Sequence, residues 1–216
     1  MTGRGRFISF EGSEGCGKST QIRLLAERLR QCGLVVRTLR EPGGTSIGEE
    51  IRHTLQHSSQ NHLMTAEAEL LLMNASRAQL VREIIRPALA AGEFVLCDRF
   101  LDSTHAYQGY GRQLPLDLVQ TITQFAVGET LPDLTFLLIV SPQEGARRIQ
   151  LRQAKATPQR DRIEEADAAF FERVQRGFQQ LATQHSMRIK TVDGSPSPEK
   201  VSLDIWNHIQ PFLPVL

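Results

Sequence analysis

Arg6–Phe10 (RFISF) runs through Glu11 into Gly12–Ser19 (GSEGCGKS), and the fold is decided there. The eight-residue segment matches GxxxxGK[ST] in the setting that pattern needs. An apolar strand precedes it, and from Lys18 onward Ile22, Leu25, Ala26 and Leu29 recur at helical spacing up to Gly33. Glycines let successive backbone N–H groups turn inward around phosphate oxygens, and the start of the following helix adds its positive dipole. A loop of this kind expects a nucleotide triphosphate, with Lys18 on the β and γ phosphates and Ser19 on Mg²⁺. Gly12, Ser13, Glu14, Gly15, Cys16, Gly17 and Thr20 complete the expected ATP contacts.

Outward from the loop, short apolar runs alternate with helical patterns. Leu34–Leu39 reads as a second strand, ending in the turn cluster Glu41–Gly44. Thr65–Ala91 is rich in Ala, Leu, Glu and Arg and reads as one long or two abutting helices interrupted by Pro87. Phe94–Cys97 and Leu134–Val140 read as buried strands, Arg188–Val192 as a fifth, and Pro198–Phe212 as a closing helix. Strand–helix alternation predicts an α/β fold, a five-stranded parallel sheet flanked by helices with ligands beyond the strands' carboxyl ends. With 216 residues, and without a long linker or a repeat, residues 1–216 are expected to form a single domain.

Composition excludes several classes. Hydrophobic residues make up 40% and charged residues 23%, near the globular average, which argues against disorder. A net charge of +1 gives no global field for nucleic acid or anionic membrane. The longest apolar run, Leu134–Val140, is far short of the roughly 20 residues of a membrane span. The residues from Met1 to Glu11 lack the apolar core of a signal peptide. Three cysteines (Cys16, Cys32, Cys97) without paired or zinc-type spacing suit a reducing cytoplasm.

Two further features bear on chemistry. The strand Phe94–Cys97 ends at Asp98, the position of a second Mg²⁺-directed acid, although an acid there can also be a plain helix cap. Arg99 beside it suits the phosphate of an acceptor. Between Arg147 and Arg162 six cations (Arg147, Arg148, Arg152, Lys155, Arg160, Arg162) face one acid, Asp161. That stretch is expected to form a mobile lid over about 147–163 that delivers an arginine to the phosphates, the plain alternative being a solvated helix face.

Taken together, these segments resemble the thymidylate kinase family from Phe7 to about Ile209. The resemblance is carried by FISFEGSEGCGKST, by REPGGT at Arg40–Thr45, by Ser76-Arg77-Ala78-Gln79 and by DRF at Asp98–Phe100. STHAYQGYGR at Ser103–Arg112, PDLTFLLIV from Pro132 and DRIE at Asp161–Glu164 complete the ordered set. It implies a P-loop nucleoside monophosphate kinase fold and transfer of the γ-phosphate of ATP to dTMP with Mg²⁺, in a cytosolic homodimer. A deoxynucleotide or deoxynucleoside kinase of the same fold is the rival; a thymidine-like nucleoside would leave Arg40 and Arg99 without a phosphate to bind.

By position, the resemblance implies that Arg40 and Arg99 face the dTMP phosphate and Glu14 lies near the acceptor sugar and phosphate. Arg77 is implied to bond a thymine carbonyl; a surface ion pair with Glu69 or Glu83 is the plain alternative. Pro42, Ser103, Thr104, Tyr107 and Gln108 are implied to line the base and sugar pocket, and Val192–Pro196 to border adenine. For Tyr107 and Gln108 the alternative is ordinary packing. Met73 stands where many relatives place a phenylalanine against thymine, and Phe100 where Tyr or His is common. The P-loop carries an acid and no arginine, which resembles the subtype whose catalytic arginine comes from the lid. Arg152 is the first choice for that role and Arg160 the second.

Overall fold

The computed structural model describes residues 4–154 and 166–213, with no side-chain description at 152 and 153. Five parallel strands form one sheet in the order β2-β3-β1-β4-β5. They are β1 (Arg6–Glu11), β2 (Val36–Arg40), β3 (Phe94–Asp98), β4 (Leu134–Ile139) and β5 (Ile189–Asp193). β1, β3 and β4 are covered on both faces and are almost wholly buried, which is why they read as mostly apolar runs; edge strand β2 has no fully buried residue and stays wetter.

Helices α1 (Lys18–Gln31) and α9 (Pro198–Ile209) cover one face. Ile22, Leu25, Ala26 and Leu29 of α1 meet Val201, Ile205, Trp206 and Ile209 of α9 over Ile8, Phe10, Leu96 and Phe136. The other face carries α3 (Ala66–Leu80), whose end packs with Val81, Ile85 and Leu89 on Phe7, Val95 and Cys97. The helical run over 65–91 is nearly continuous. α3 passes through a wide π-type turn, Val81–Ile85, into α4 (Arg86–Ala90), and Pro87 sits in α4's first turn, where its missing N–H costs little.

Side-chain caps start several helices. Thr45 accepts from the Gly48 N–H at the head of α2 (Ser46–Gln56), and Thr65 accepts from Ala68 N–H before α3. After β3 come α5 (Leu101–Thr104), a second wide turn at His105–Gly111, and α6 (Leu116–Val127). Between β4 and β5 lie α7 (Pro142–Gln153) and α8 (Ala168–Gln184), the latter capped by Asp167, which accepts from Phe170 N–H at 2.7 Å. Register brings Phe10, Arg40 and Asp98 level with one another, and Ile139 level with Asp193. The carboxyl ends of all five strands therefore open onto one edge, where the loops that follow build the site.

Candidate active site

The P-loop leaves β1 at that edge. Gly12 has φ +131°, and a Cβ there would collide with the Leu138 carbonyl, so only glycine fits; Gly17 turns into α1 at φ +103°. Lys18 is nearly buried and folds back over the loop, donating to Gly12 O at 3.1 Å and Ser13 O at 3.0 Å. Ser19 Oγ donates to Asp98 Oδ2 at 2.8 Å, so β1's loop and β3's end bring both expected metal-directed oxygens together. Such hard oxygen donors suit Mg²⁺, which is held by one or two protein groups plus phosphate and water. Among the described residues there is no group of three or more His, Cys, Asp or Glu placed to hold a metal.

A cleft of about 690 Å³ runs along the edge. Gly15–Gln21 and Asp98 line its middle, Arg40, Arg52 and Arg99 one end, and Arg148, Gly194 and Pro196 the other. Arg99 adopts φ +69°, a strained backbone for an arginine, and bonds Gly12 O, Ser103 Oγ and Glu14 Oε1. Arg40 is half exposed and pairs with Glu49. A small cavity beside the cleft is lined by Glu14, Glu41, Pro42, Met73, Arg99, Ser103, Tyr107 and Gln108, so seven of the expected acceptor-side residues converge on it and Glu41 joins them.

Arg77 and Thr104 lie one layer behind. Arg77 is 1% exposed, which overturns the surface ion-pair alternative. It donates to Glu41 Oε2 at 2.8 Å, Thr104 Oγ1 at 2.8 Å, Asn74 Oδ1 at 3.2 Å and Phe100 O at 3.0 Å. Burial raises the Glu41 carboxyl above its ordinary value, against the pull of Arg77. Its other oxygen, Oε1, is buried with no partner among the described residues, as is Gln108 Oε1. Two orphaned acceptors at one cavity are what a missing donor leaves behind.

Several functional neighbours carry no signal in the sequence. Glu11, at the end of β1, accepts from Phe100 N–H at 2.8 Å and from Ser103 Oγ at 2.5 Å. Burial and then the Asp102 carboxylate push it up to about 7. Asp102 in turn is gripped by Arg188, the residue before β5, at 2.6 and 2.8 Å. Arg148 of α7 donates to Gly194 O at 3.0 Å, tying that helix to the loop expected to border adenine. Residues 147–153 continue α7; the rest of the expected lid, with Lys155, Arg160, Arg162 and DRIE, and the side chain of Arg152, lies outside the described residues.

The family model for thymidylate kinase matches residues 10–205. The chain belongs to the thymidylate kinase family. A thymidylate kinase from Gloeobacter violaceus is 48% identical over 208 residues, 96% of this chain and 95% of that one. One from an Exiguobacterium species is 45% identical over 204 residues, 94% and 93% of the two chains. The crystal structure of thymidylate kinase from Ehrlichia chaffeensis superimposes with a TM-score of 0.76 at 30% identity, covering 96% of this chain and all of that one. The parallel sheet and P-loop are therefore those of a thymidylate kinase, a P-loop nucleoside monophosphate kinase fold.

Proposed function

We propose that the chain transfers the γ-phosphoryl group of ATP to dTMP, giving dTDP and ADP. The observation that carries this is a cleft with a P-loop and Lys18 at its centre, three arginines at one end and a small recess with orphaned acceptors beside them. A thymidylate kinase needs two phosphate sites facing each other, and a nucleoside kinase needs only one.

Little covalent work falls to the protein; alignment and charge carry the barrier. An oxygen of the dTMP phosphate forms a bond to the γ phosphorus as the bond from that phosphorus to the β–γ bridging oxygen breaks and ADP leaves. The P-loop N–H groups hold the donor phosphates. Lys18 exchanges its bonds to Gly12 O and Ser13 O for phosphate oxygens, a short swing of one side chain. Arg99, Arg40 and Arg52 hold the acceptor phosphate, and Glu14 orients Arg99 through their 2.6 Å contact. Ser19 and Asp98 would hold Mg²⁺, which neutralises charge on the donor phosphates when bound. Arg152, or Arg160 in its place, is the lid arginine that spreads the developing negative charge as the stretch at about 147–163 closes and water leaves.

The partner is a second copy. Leu118 and Phe125 of α6, which share one face of that helix, and Leu71 of α3 are exposed, Phe125 by 83%, and such an apolar face calls for cover. Among the described residues no helix is long and apolar enough to cross a membrane. All three cysteines are free, which suits a reducing cytoplasm.

The test is coupled ADP release with ATP and Mg²⁺ against dTMP, dUMP, dCMP, dGMP, GMP and thymidine. A strong preference for dTMP is expected. Preference for thymidine or a purine monophosphate would leave the P-loop chemistry standing and overturn the acceptor pocket.

A further inference from the structure

Within that reading of the acceptor pocket, a second layer of residues decides which face of one amide the base meets. Glu69 lies on α3, one turn before Met73 and two turns before Arg77, and is 1% exposed. Gln108, from the wide turn at His105–Gly111, donates from Nε2 to Glu69 Oε1 at 2.8 Å. Arg112 grips the same carboxylate, from Nε to Oε1 at 3.2 Å and from Nη2 to Oε2 at 3.0 Å.

The orientation of an amide is settled by its neighbours, because its two ends differ only in whether they give or take a proton. A carboxylate held by an arginine has no proton to give. The end of Gln108 that meets Glu69 must therefore be the NH₂, and the end left over must be the carbonyl oxygen. That oxygen is buried with no partner among the described residues, on a residue that lines the small cavity with Met73, Ser103 and Tyr107.

We propose that Glu69, backed by Arg112, is a positioning residue for base selection: it locks Gln108 with its carbonyl oxygen toward the base, so that the site takes a base presenting a ring N–H. Thymine and uracil carry a hydrogen on N3, which completes the bond. Cytosine carries a lone pair there and sets acceptor against acceptor. A lone glutamine could turn its amide over and serve either base, so the discrimination lies in the lock and not in Gln108 itself.

The experiment compares the KM for dTMP with the inhibition constant of dCMP as a competitor, in the wild-type enzyme and in Glu69→Gln. A glutamine at 69 can give or take a proton, so Gln108 is free to turn. The ratio of the dCMP constant to the dTMP KM is expected to fall at least about tenfold. In a Gln108→Leu background the Glu69→Gln change is expected to leave that ratio where Gln108→Leu alone puts it. A ratio that does not move in a folded Glu69→Gln protein overturns the proposal. So does an equal fall with and without Gln108, which would mark a general loosening.

Should Glu69→Gln fail to fold, Glu69→Leu combined with Arg112→Leu removes the buried pair without stranding either charge, and the same fall is expected. Wild-type enzyme that ignores dTMP would sink the proposed function; wild-type enzyme that prefers dTMP, with an unmoved ratio in the variants, would sink only the role of Glu69.

Discussion

Glu11 offers a test in which the sign, the size and the pH window all follow from its surroundings. Its carboxyl is pushed up to about 7 from 4.5, by burial first and by Asp102 second, against the pull of Ser103, Arg99 and the Phe100 N–H. An acid whose folded value is raised keeps a proton that the unfolded chain has already released. The protonated side chain therefore contributes stability that is whole below about pH 4.5, declines as pH rises, and is gone above about 7. A shift from 4.5 to about 7, at about 1.4 kcal/mol per unit, gives about 3 kcal/mol. Glu11→Gln removes the titration and keeps the shape: the amide oxygen can still accept from Phe100 and Ser103 N–H, and the NH₂ can meet Ser103 Oγ. Urea unfolding of both proteins at pH 5 and pH 8 reads the effect as a difference of differences, in which every other group largely cancels. The stability of wild type relative to the variant is expected to fall by about 2.5 kcal/mol between those pH values, a little less than the whole because the unfolded acid is already partly ionised at pH 5. A relative stability that stays flat within about 0.5 kcal/mol would refute the account of Glu11 as a buried, proton-holding carboxyl.

Arg188→Met strands Asp102, which is 1% exposed, without its bidentate partner; a loss of about 3–5 kcal/mol is expected, and an unchanged thermal midpoint would contradict it. Arg152→Ala is expected to lower kcat at least about 100-fold with little change in the KM for dTMP, and an unchanged kcat would pass the role to Arg160. Phe125→Glu, a charge placed on the most exposed apolar side chain of α6, is expected to give a monomer by sedimentation; a dimer that persists at low micromolar concentration would move the interface elsewhere.

The parts of this molecule that were legible in its sequence are those fixed by local pattern. All five strands could be read because apolar runs bounded by turns are how buried parallel strands must look, with ends displaced by a residue or two; β2, for example, begins at Val36 and reaches Arg40. The P-loop was legible because its function is a backbone shape that only glycines permit. Helix α2 gave no bounds: its apolar stripe is only three residues, Ile47, Ile51 and Leu55, and of its side chains it buries little beyond Leu55. Arg77 could be placed at the acceptor site by resemblance, but its burial against Glu41 could not, since nothing about a helix surface tells which arginine the sheet edge will cover. The Glu11, Asp102 and Arg188 cluster was silent for a related reason. Its bonds join residues 86 and 92 positions apart, and exist only once strand register has been set.

That cluster also constrains how the chain can drift over generations. Arg188, Asp102, Glu11 and Arg99 are contributed by the residue before β5, by α5, by β1 and by the residue after β3, so two cations flank two acids across the sheet edge. A lineage that lost Arg188 would inherit an uncompensated acid at 102, and shedding that acid would in turn remove the lesser of the two influences, after burial, that raise Glu11. Change at Arg188 alone is therefore costly unless Asp102 changes with it. Two residues 86 positions apart along the chain are thus bound to one fate.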